Sequence, residues 1–170
     1  MSQNRPFEDG NRSNTPLRGL RRAFGRVLHL YFRLVRGLTL GVRAAVLDEA
    51  GRLFLVRHTY TPGWHLPGGG VEVGETLLGA IAKELREEAG IRLTGEPALH
   101  GVFFNRGLSR RDHVAVFVVR DFAVESVKQP DREIAEAGWF SLEALPEGTT
   151  AGTRRRLAEI VGGAMAGADW

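Results

Sequence analysis

The chain contains no cysteine. That absence excludes a disulfide framework, a thiol nucleophile and a thiolate metal site. Nor does any apolar run reach the roughly 20 residues that a membrane-crossing helix needs. The first residues carry no uninterrupted apolar segment before a small-residue cleavage site, so a secretory leader is not expected. No internal repeat is visible. These absences leave a protein of 170 residues, long enough to bury a core as one domain, with a cytoplasmic location as the expectation.

The net charge of +3 hides an asymmetry. Residues 1–36 hold eight arginines against two acids, whereas the remainder is acidic on balance, with 15 basic and 18 acidic residues. The basicity therefore belongs to the N-terminal segment and says little about the part that does chemistry. Residues 1–16, polar and rich in Asn, Ser, Pro and Arg, read as a disordered tail. Residues 17–36 read as a basic amphipathic helix, with Leu20, Phe24, Val27, Tyr31, Leu34 and Val35 at helical spacing and Arg18, Arg22, Arg26, Arg33 and Arg36 between them. Such a helix could dock on the domain or on a second subunit of a homodimer. It could equally make the protein peripheral to an anionic membrane surface, or contact nucleic acid. An organelle leader is a third reading, and Glu8 and Asp9 count against it.

Residues 37–170 form the expected domain proper. Thr39 to Leu47 and Arg52 to His58 alternate as strands and, joined by Asp48-Glu49-Ala50-Gly51, read as a hairpin. Ala98 to Phe104, His113 to Phe122 and a short Gly138-Trp139-Phe140 read as further strands, and Thr150 to Ala166 as a closing helix. A mixed sheet between helices is the architecture expected from this order.

The organising stretch runs from Gly68 to Ile91. Three glycines lead through Glu72 and Glu75 to Thr76, a helix start, and Gly90 stands where a C-terminal cap belongs. Leu78, Ile81, Ala82, Leu85 and Ala89 share one face, which should pack on the sheet. Glu84, Glu87 and Glu88 are spaced i, i+3, i+4 on an adjoining stripe, and small Ala80 one turn earlier leaves room above them. Like charges so placed repel. Hard oxygen ligands in a cluster are what Mg²⁺ needs, with Mn²⁺ as a substitute, and a glycine loop beside them lets backbone approach a metal or a phosphate.

Gly69, Glu75 and then Lys83-Glu84-Leu85, Glu87-Glu88 and Gly90-Ile91 resemble the Nudix box, whose pattern is Gly-x5-Glu-x7-Arg-Glu-apolar-x-Glu-Glu-x-Gly-apolar. Every fixed position fits except Lys83, where the family has Arg. The resemblance implies an α/β/α sandwich with a mixed sheet, and a Mg²⁺-dependent hydrolase of diphosphate linkages. It implies that Glu84, Glu87 and Glu88 ligate metal together with the Gly69 carbonyl, that Glu84 or Glu88 can double as base, and that Glu75 and Lys83 brace the loop against the helix. The expected substrate is a nucleoside diphosphate joined to another moiety, of the nucleotide sugar, ADP-ribose or dinucleotide type. The alternatives are a house-cleaning nucleoside triphosphate pyrophosphatase and a nucleotide sensor without catalysis. The family's isomerase branch uses a cysteine and is set aside.

Outside the box, Arg57 is a candidate phosphate contact against a surface ion pair, and Trp64 or Tyr60 a candidate base-stacking residue against simple packing. Arg106, with Arg110 and Arg111, is a candidate for a polyanionic substrate. His58 and His65 read as satisfied polar residues. The resemblance also implies that a further carboxylate from a later loop can serve as base, for which Asp112, Asp131, Glu133 and Glu136 are candidates that the sequence does not choose among.

Overall fold

Apolar residues on both faces of the strands set the architecture of residues 38–170. The computed structural model describes residues 27, 28, 30–32 and 34–170, in two units, Met1–Gly37 and Leu38–Trp170. In the first unit, every described residue from 27 to 35 is helical. The expected tail over 1–16 and most of the expected helix over 17–36 lie outside the described residues. No helix among those described is long and apolar enough to cross a membrane.

In the second unit the order is β1 (Thr39–Val46), β2 (Arg52–His58), α1 (Leu77–Ala89), β3 (Ile91–Leu93), β4 (Ala98–Phe104), β5 (Asp112–Val119), β6 (Phe122–Val124), β7 (Ile134–Ser141) and α2 (Ala151–Ile160). Strand β1 lies parallel to β5, with Val42 opposite Ala115, and β4 lies antiparallel to β5 on its other edge. This is a mixed sheet. Strand β2 pairs with β7, and β3 with β6, both antiparallel. Successive side chains of a strand point to opposite faces, and both faces here are covered. Val42, Ala44, Val46, Phe54, Val56, Ala115 and Phe117 pack with Ile81, Leu85 and Ala89 of α1. Ala45, Leu47, Leu53, Leu55, Val114 and Val116 pack with Leu157 of α2. The result is two cores, one on each side of the strands, and an α/β/α sandwich.

The expected hairpin of β1 and β2 does not form as a ladder. The turn itself closes, with Asp48 accepting from the Arg52 backbone N–H (2.7 Å) and from Arg52 Nε (2.8 Å), and Leu47 bridges Leu53. Beyond that point an edge of β1 is taken by the glycine loop. Val42 N–H donates to the Gly69 carbonyl and Ala44 N–H to the Pro67 carbonyl, each at 2.9 Å, and Val71 N–H donates to the Leu40 carbonyl at 2.8 Å. The loop after β2 also folds back, so that Val56 and His65 exchange backbone hydrogen bonds. These returns bring the loop between β2 and α1 against the strands.

Helix α1 is bounded as its sequence requires. The Thr76 hydroxyl accepts from Gly79 N–H, and Gly90, at φ 64°, donates to the carbonyls of Arg86 and Leu85. This is a left-handed cap suited to glycine. Its buried stripe is rotated from the expected one. Leu78 is exposed, whereas Ala80, Ile81, Leu85, Glu88 and Ala89 are buried. Ala80 therefore belongs to the core and not to open space above the acids. The rotation accommodates Glu88, whose carboxylate finds a backbone donor at Gly68 of the glycine loop and can enter the stripe. The remaining differences concern ends. The expected strand from His113 to Phe122 breaks after Val119, where the Asp121 carbonyl accepts from Thr94 and Gly95 N–H. Strand β7 is eight residues long, where only three had a visible pattern. Helix α2 stops at Ile160, and Gly162-Gly163 follow, with Gly163 at φ 69°.

Candidate active site

The glycine loop along β1 and the C-terminal half of α1 enclose one side of a cavity of about 450 Å³. Gly68, Gly69, Gly70, Glu84, Glu88 and Arg43 line that side. Gly68 N–H donates to Glu88 Oε2 at 2.7 Å. Gly69 has no side chain to keep Glu84 away: a Cβ there would lie 2.5 Å from Glu84 Oε1. Two of the three acids are thus gathered against the loop. Burial pushes the Glu88 carboxyl up to about 7, only partly opposed by the Gly68 N–H and by Arg43. Burial also raises Glu84, with Lys83 opposing and the neighbouring charge of Glu87 adding to the rise. Glu87 itself is exposed and does not line the cavity.

Arg43 is a site residue that the sequence pattern concealed. It sits on β1 between buried Val42 and Ala44, and its Nη1 donates to the carbonyl of Leu66 (3.0 Å) and to that of Gly68. The guanidinium thereby grips the loop from the sheet side and places a positive charge near Glu84 and Glu88. Burial pulls its pKa down, against the pull of those two carboxylates. On the helix side, Lys83 Nζ lies 3.3 Å from both Glu72 Oε1 and Glu75 Oε1. Glu75 also accepts from the Glu72 backbone N–H at 3.1 Å. Lys83 therefore joins loop and helix by touching both oxygens of the half-buried Glu75 carboxylate and one oxygen of the solvent-exposed Glu72.

His58 lies behind Glu88, its Nδ1 3.6 Å from Glu88 Oε1, and neither of its buried ring nitrogens has a hydrogen-bond partner among the described residues. Burial, with the charge of nearby Arg43 adding to it, pulls its pKa down to about 4. It is a neutral imidazole at pH 7, not the satisfied polar residue expected. His65 and Tyr60 both line the cavity, His65 with Nε2 3.0 Å from the Pro62 carbonyl.

Of the expected substrate contacts outside the box, Tyr60 lines the cavity, whereas Arg57, Trp64 and Arg106 are placed elsewhere. Arg57 is an exposed partner of Glu136 (2.7 Å). Trp64 is buried, packed edge-on to Phe140 with centroids 4.8 Å apart. Arg106 pairs with Asp169 at 3.0 Å. None of the three lines the cavity. Each side chain faces where the strand register or the loop's return sends it, which residue type alone does not reveal. The four later carboxylates also separate. Asp131 accepts from the N–H groups of Glu133 and Ile134 and pairs with Lys128, and Glu136 is held by Arg57. Asp112 lines the cavity but accepts from Thr39 Oγ1 (2.6 Å) and Asn105 Nδ2 (2.8 Å). Glu133 lines it and is exposed.

Residues 37–160 match the NUDIX domain family model. The chain belongs to the Nudix family. It is 34% identical to MutT4 of Mycobacterium tuberculosis over 119 residues, 67% of this chain and 43% of that protein. It is 29% identical to the ADP-ribose pyrophosphatase of Methanocaldococcus jannaschii over 106 residues, 60% of this chain and 62% of that one. The chain thus spans about half the length of these curated relatives. Among solved structures it resembles the MutT NUDIX hydrolase from Burkholderia pseudomallei, with TM-score 0.63 and 29% identity over 72% of this chain and 98% of that one.

The Nudix box of this chain can be tested for a metal on its own donors. No three His, Asp or Glu side chains among the described residues converge into a ready-made cluster. The donors nonetheless suit a hard divalent ion. Two carboxylates buried enough to have raised pKa values face a cavity, and a cation would relieve the cost of ionising them there. The Gly69 carbonyl accepts one hydrogen bond, from Val42, and retains a second lone pair.

Proposed function

We propose that the protein is a divalent-metal-dependent hydrolase that cleaves the diphosphate linkage of a nucleoside diphosphate joined to another moiety. One observation carries the reading: Glu84, Glu88, the backbone of Gly68–Gly70 and Arg43 line a single cavity, so oxygen ligands for a cation and donors for phosphate oxygens share one site. The name of the pyrophosphatase relative supports a diphosphate joined to a second group over a triphosphate. Glu84, Glu88 and the Gly69 carbonyl would hold Mg²⁺, or Mn²⁺ in its place, with Glu87 contributing from the solvent side. A divalent ion there supplies charge neutralisation at the phosphoryl oxygens and acidifies water.

The chain's own part is to orient and to move a proton. Arg43, fixed by two carbonyls, offers its remaining N–H groups and its charge to the phosphate. Glu133, exposed at the rim, takes the proton from the attacking water. Water oxygen bonds to one phosphorus, the bridging P–O bond breaks, and the leaving phosphate departs with the bridging oxygen, so two phosphate monoesters result. Asp112, with both oxygens engaged, holds Asn105 and Thr39 and moves no proton.

The test is product release from ADP-ribose, nucleotide sugars, dinucleoside polyphosphates, NADH, nucleoside triphosphates and capped RNA, with Mg²⁺, Mn²⁺ or EDTA. Wild type is compared with Glu84→Gln, Glu87→Gln and Glu88→Gln. Cleavage of a diphosphate-linked class to two monoesters, abolished by EDTA and by Glu88→Gln, is the expected result. Turnover confined to triphosphates would replace the substrate class. Folded protein that turns over nothing yet binds nucleotide would make it a sensor.

A further inference from the structure

The cavity has a second end that the hydrolytic machinery does not use. There, at the β4–β5 side, Asn105, Leu108, Val114 and Trp170 line it, with β5 and β4 lying beyond the β1 strand that carries the glycine loop. Trp170 itself lies beyond the matched family segment of residues 37–160 and is held in place by residues within it. Phe104 N–H donates to the Ala168 carbonyl (2.9 Å) and Trp170 N–H to the Phe104 carbonyl (3.0 Å), which adds residues 168–170 to the end of β4. Arg155 of α2 donates to the Trp170 carbonyl. The indole lies directly on the α2 backbone at Gly152, where a Cβ would stand 2.7 Å from Trp170 Nε1 and 2.9 Å from Cε2. Arg156, buried beneath, lies 5.8 Å from the indole centroid. The ring is held on one side by the helix while it contributes to the cavity wall.

Asn105 adds direction. Asp112 is acceptor-only when ionised, and Asn105 Nδ2 donates to its Oδ2 at 2.8 Å. That contact fixes which end of the amide is nitrogen and leaves Oδ1 as an acceptor for a ligand's N–H. An aromatic wall, apolar neighbours and one oriented acceptor, across a cavity from carboxylates and a phosphate-binding loop, match a molecule with a planar N–H-bearing ring at one end and phosphates at the other. We propose that Trp170 and Asn105 form the nucleobase end of the site, Trp170 by contact with the ring and Asn105 by accepting an N–H from it. This deepens the nucleotide-diphosphate reading and rests on it.

Binding separates the two claims, because it needs no turnover. ADP and inorganic pyrophosphate, each with Mg²⁺, are titrated into wild type, Trp170→Ala, Trp170→Phe, Gly152→Ala and Asn105→Ala by calorimetry. Aromatic stacking on a base predicts that Trp170→Ala weakens ADP roughly tenfold, with pyrophosphate unchanged, and that Trp170→Phe stays within about threefold of wild type. Gly152→Ala keeps the indole and displaces it, so it also weakens ADP selectively. This second variant decides the matter if Trp170→Ala does not fold. In turnover the same variants raise KM for the nucleotide and leave kcat unchanged. Equal losses for ADP and pyrophosphate, or wild type that binds ADP no better than pyrophosphate, overturn the proposal. Absent turnover with an intact ADP preference that Trp170→Ala abolishes would overturn the hydrolase and leave the base site standing.

Discussion

Substituting Gly69 by alanine tests the site without disturbing the fold. The backbone at Gly69 is not in the left-handed region, so alanine is conformationally allowed there. The added methyl would lie 2.5, 2.7 and 2.9 Å from Oε1, Cδ and Oε2 of Glu84. Ordinary contact begins at 3.4 Å, so the carboxylate must retreat by about 0.9 Å, which a flexible side chain facing a cavity can do. The cost to stability is therefore small, and reduced freedom of the unfolded chain offsets some of it, by about 0.5 kcal/mol. The cost to function is not small. A displacement of about 1 Å in a positioned group can lower turnover roughly 100-fold, and Glu84 is one of only two carboxylates that the loop gathers. The flanking glycines serve as internal controls. Among the described residues nothing lies within 4 Å of a Cβ at Gly70, whereas at Gly68 (φ 141°) it would stand 2.1 Å from the Val42 carbonyl oxygen. The expected order is that Gly70→Ala is silent, that Gly69→Ala melts like wild type but loses about 100-fold in kcat/KM, and that Gly68→Ala is destabilised by more than about 2 kcal/mol. Thermal melts, steady-state kinetics and Mn²⁺ titration on the three variants decide it. A folded Gly69→Ala with wild-type kcat/KM, or a Gly70→Ala that loses as much, would refute the placement of Glu84.

Three further outcomes follow from the contacts around the site. Arg43→Lys keeps a charge but loses the rigid guanidinium, whose Nη1 makes both carbonyl contacts, so the grip on the loop is weakened. We expect a fall of about 1 kcal/mol in denaturant stability and at least a tenfold or so drop in kcat/KM. Lys83→Arg alters only ion pairs to exposed Glu72 and partly exposed Glu75, away from the acids that line the cavity, so turnover should stay within about threefold of wild type; a gain of a hundredfold would show that the lysine is a defect. Glu159→Gln leaves the buried Arg156 and His100 facing a neutral amide in place of the carboxylate that lies 2.6 Å and 2.9 Å from them, at a cost of about 3 kcal/mol at pH 7 in urea melts. Burial alone would raise the Glu159 pKa, but His100, the Gly167 N–H and Arg156 outweigh it and hold it below 4.5. The stabilisation is therefore complete above pH 4.5 and is lost as pH falls through the lowered folded value. The gap between wild type and variant should close in acid, and a gap that widened there would contradict the sign.

What the sequence made legible was local. Thr76 and Gly90 bound α1 because capping chemistry is read within one turn, and the glycine spacing before Glu84 needs only the box. What it concealed depended on partners distant along the chain. Nothing in Thr39–Val46 distinguishes Arg43 from any polar residue facing outward on an alternating strand; its role exists because residues 66–68 return to that edge. The same return cancels the hairpin. Trp64 and Arg57 had suitable side chains for a substrate, but the packing on Phe140 and the register opposite Glu136 direct them away. Trp170 and Asn105 stand in stretches with no motif at all; the addition of residues 168–170 to β4 brings the first to the cavity, and the bonds to Asp112 hold the second there.

The lysine at position 83 is best understood through Arg43. A loop that must present backbone to a phosphate and make room for Glu84 has to be fixed on both sides. Lys83 contributes a point charge to Glu72 and Glu75 from the helix, with Glu72 largely in solvent, and such pairs hold geometry weakly. The stiff constraint comes from the sheet. Two carbonyls of the loop are gripped by one guanidinium, and three backbone hydrogen bonds lace residues 67–71 to β1. Because those bonds belong to a strand covered on both faces by apolar cores, the loop inherits the rigidity of the sandwich. A substitution on the helix side can then cost the family's planar fork without releasing the carboxylates from the place where a cation would meet them.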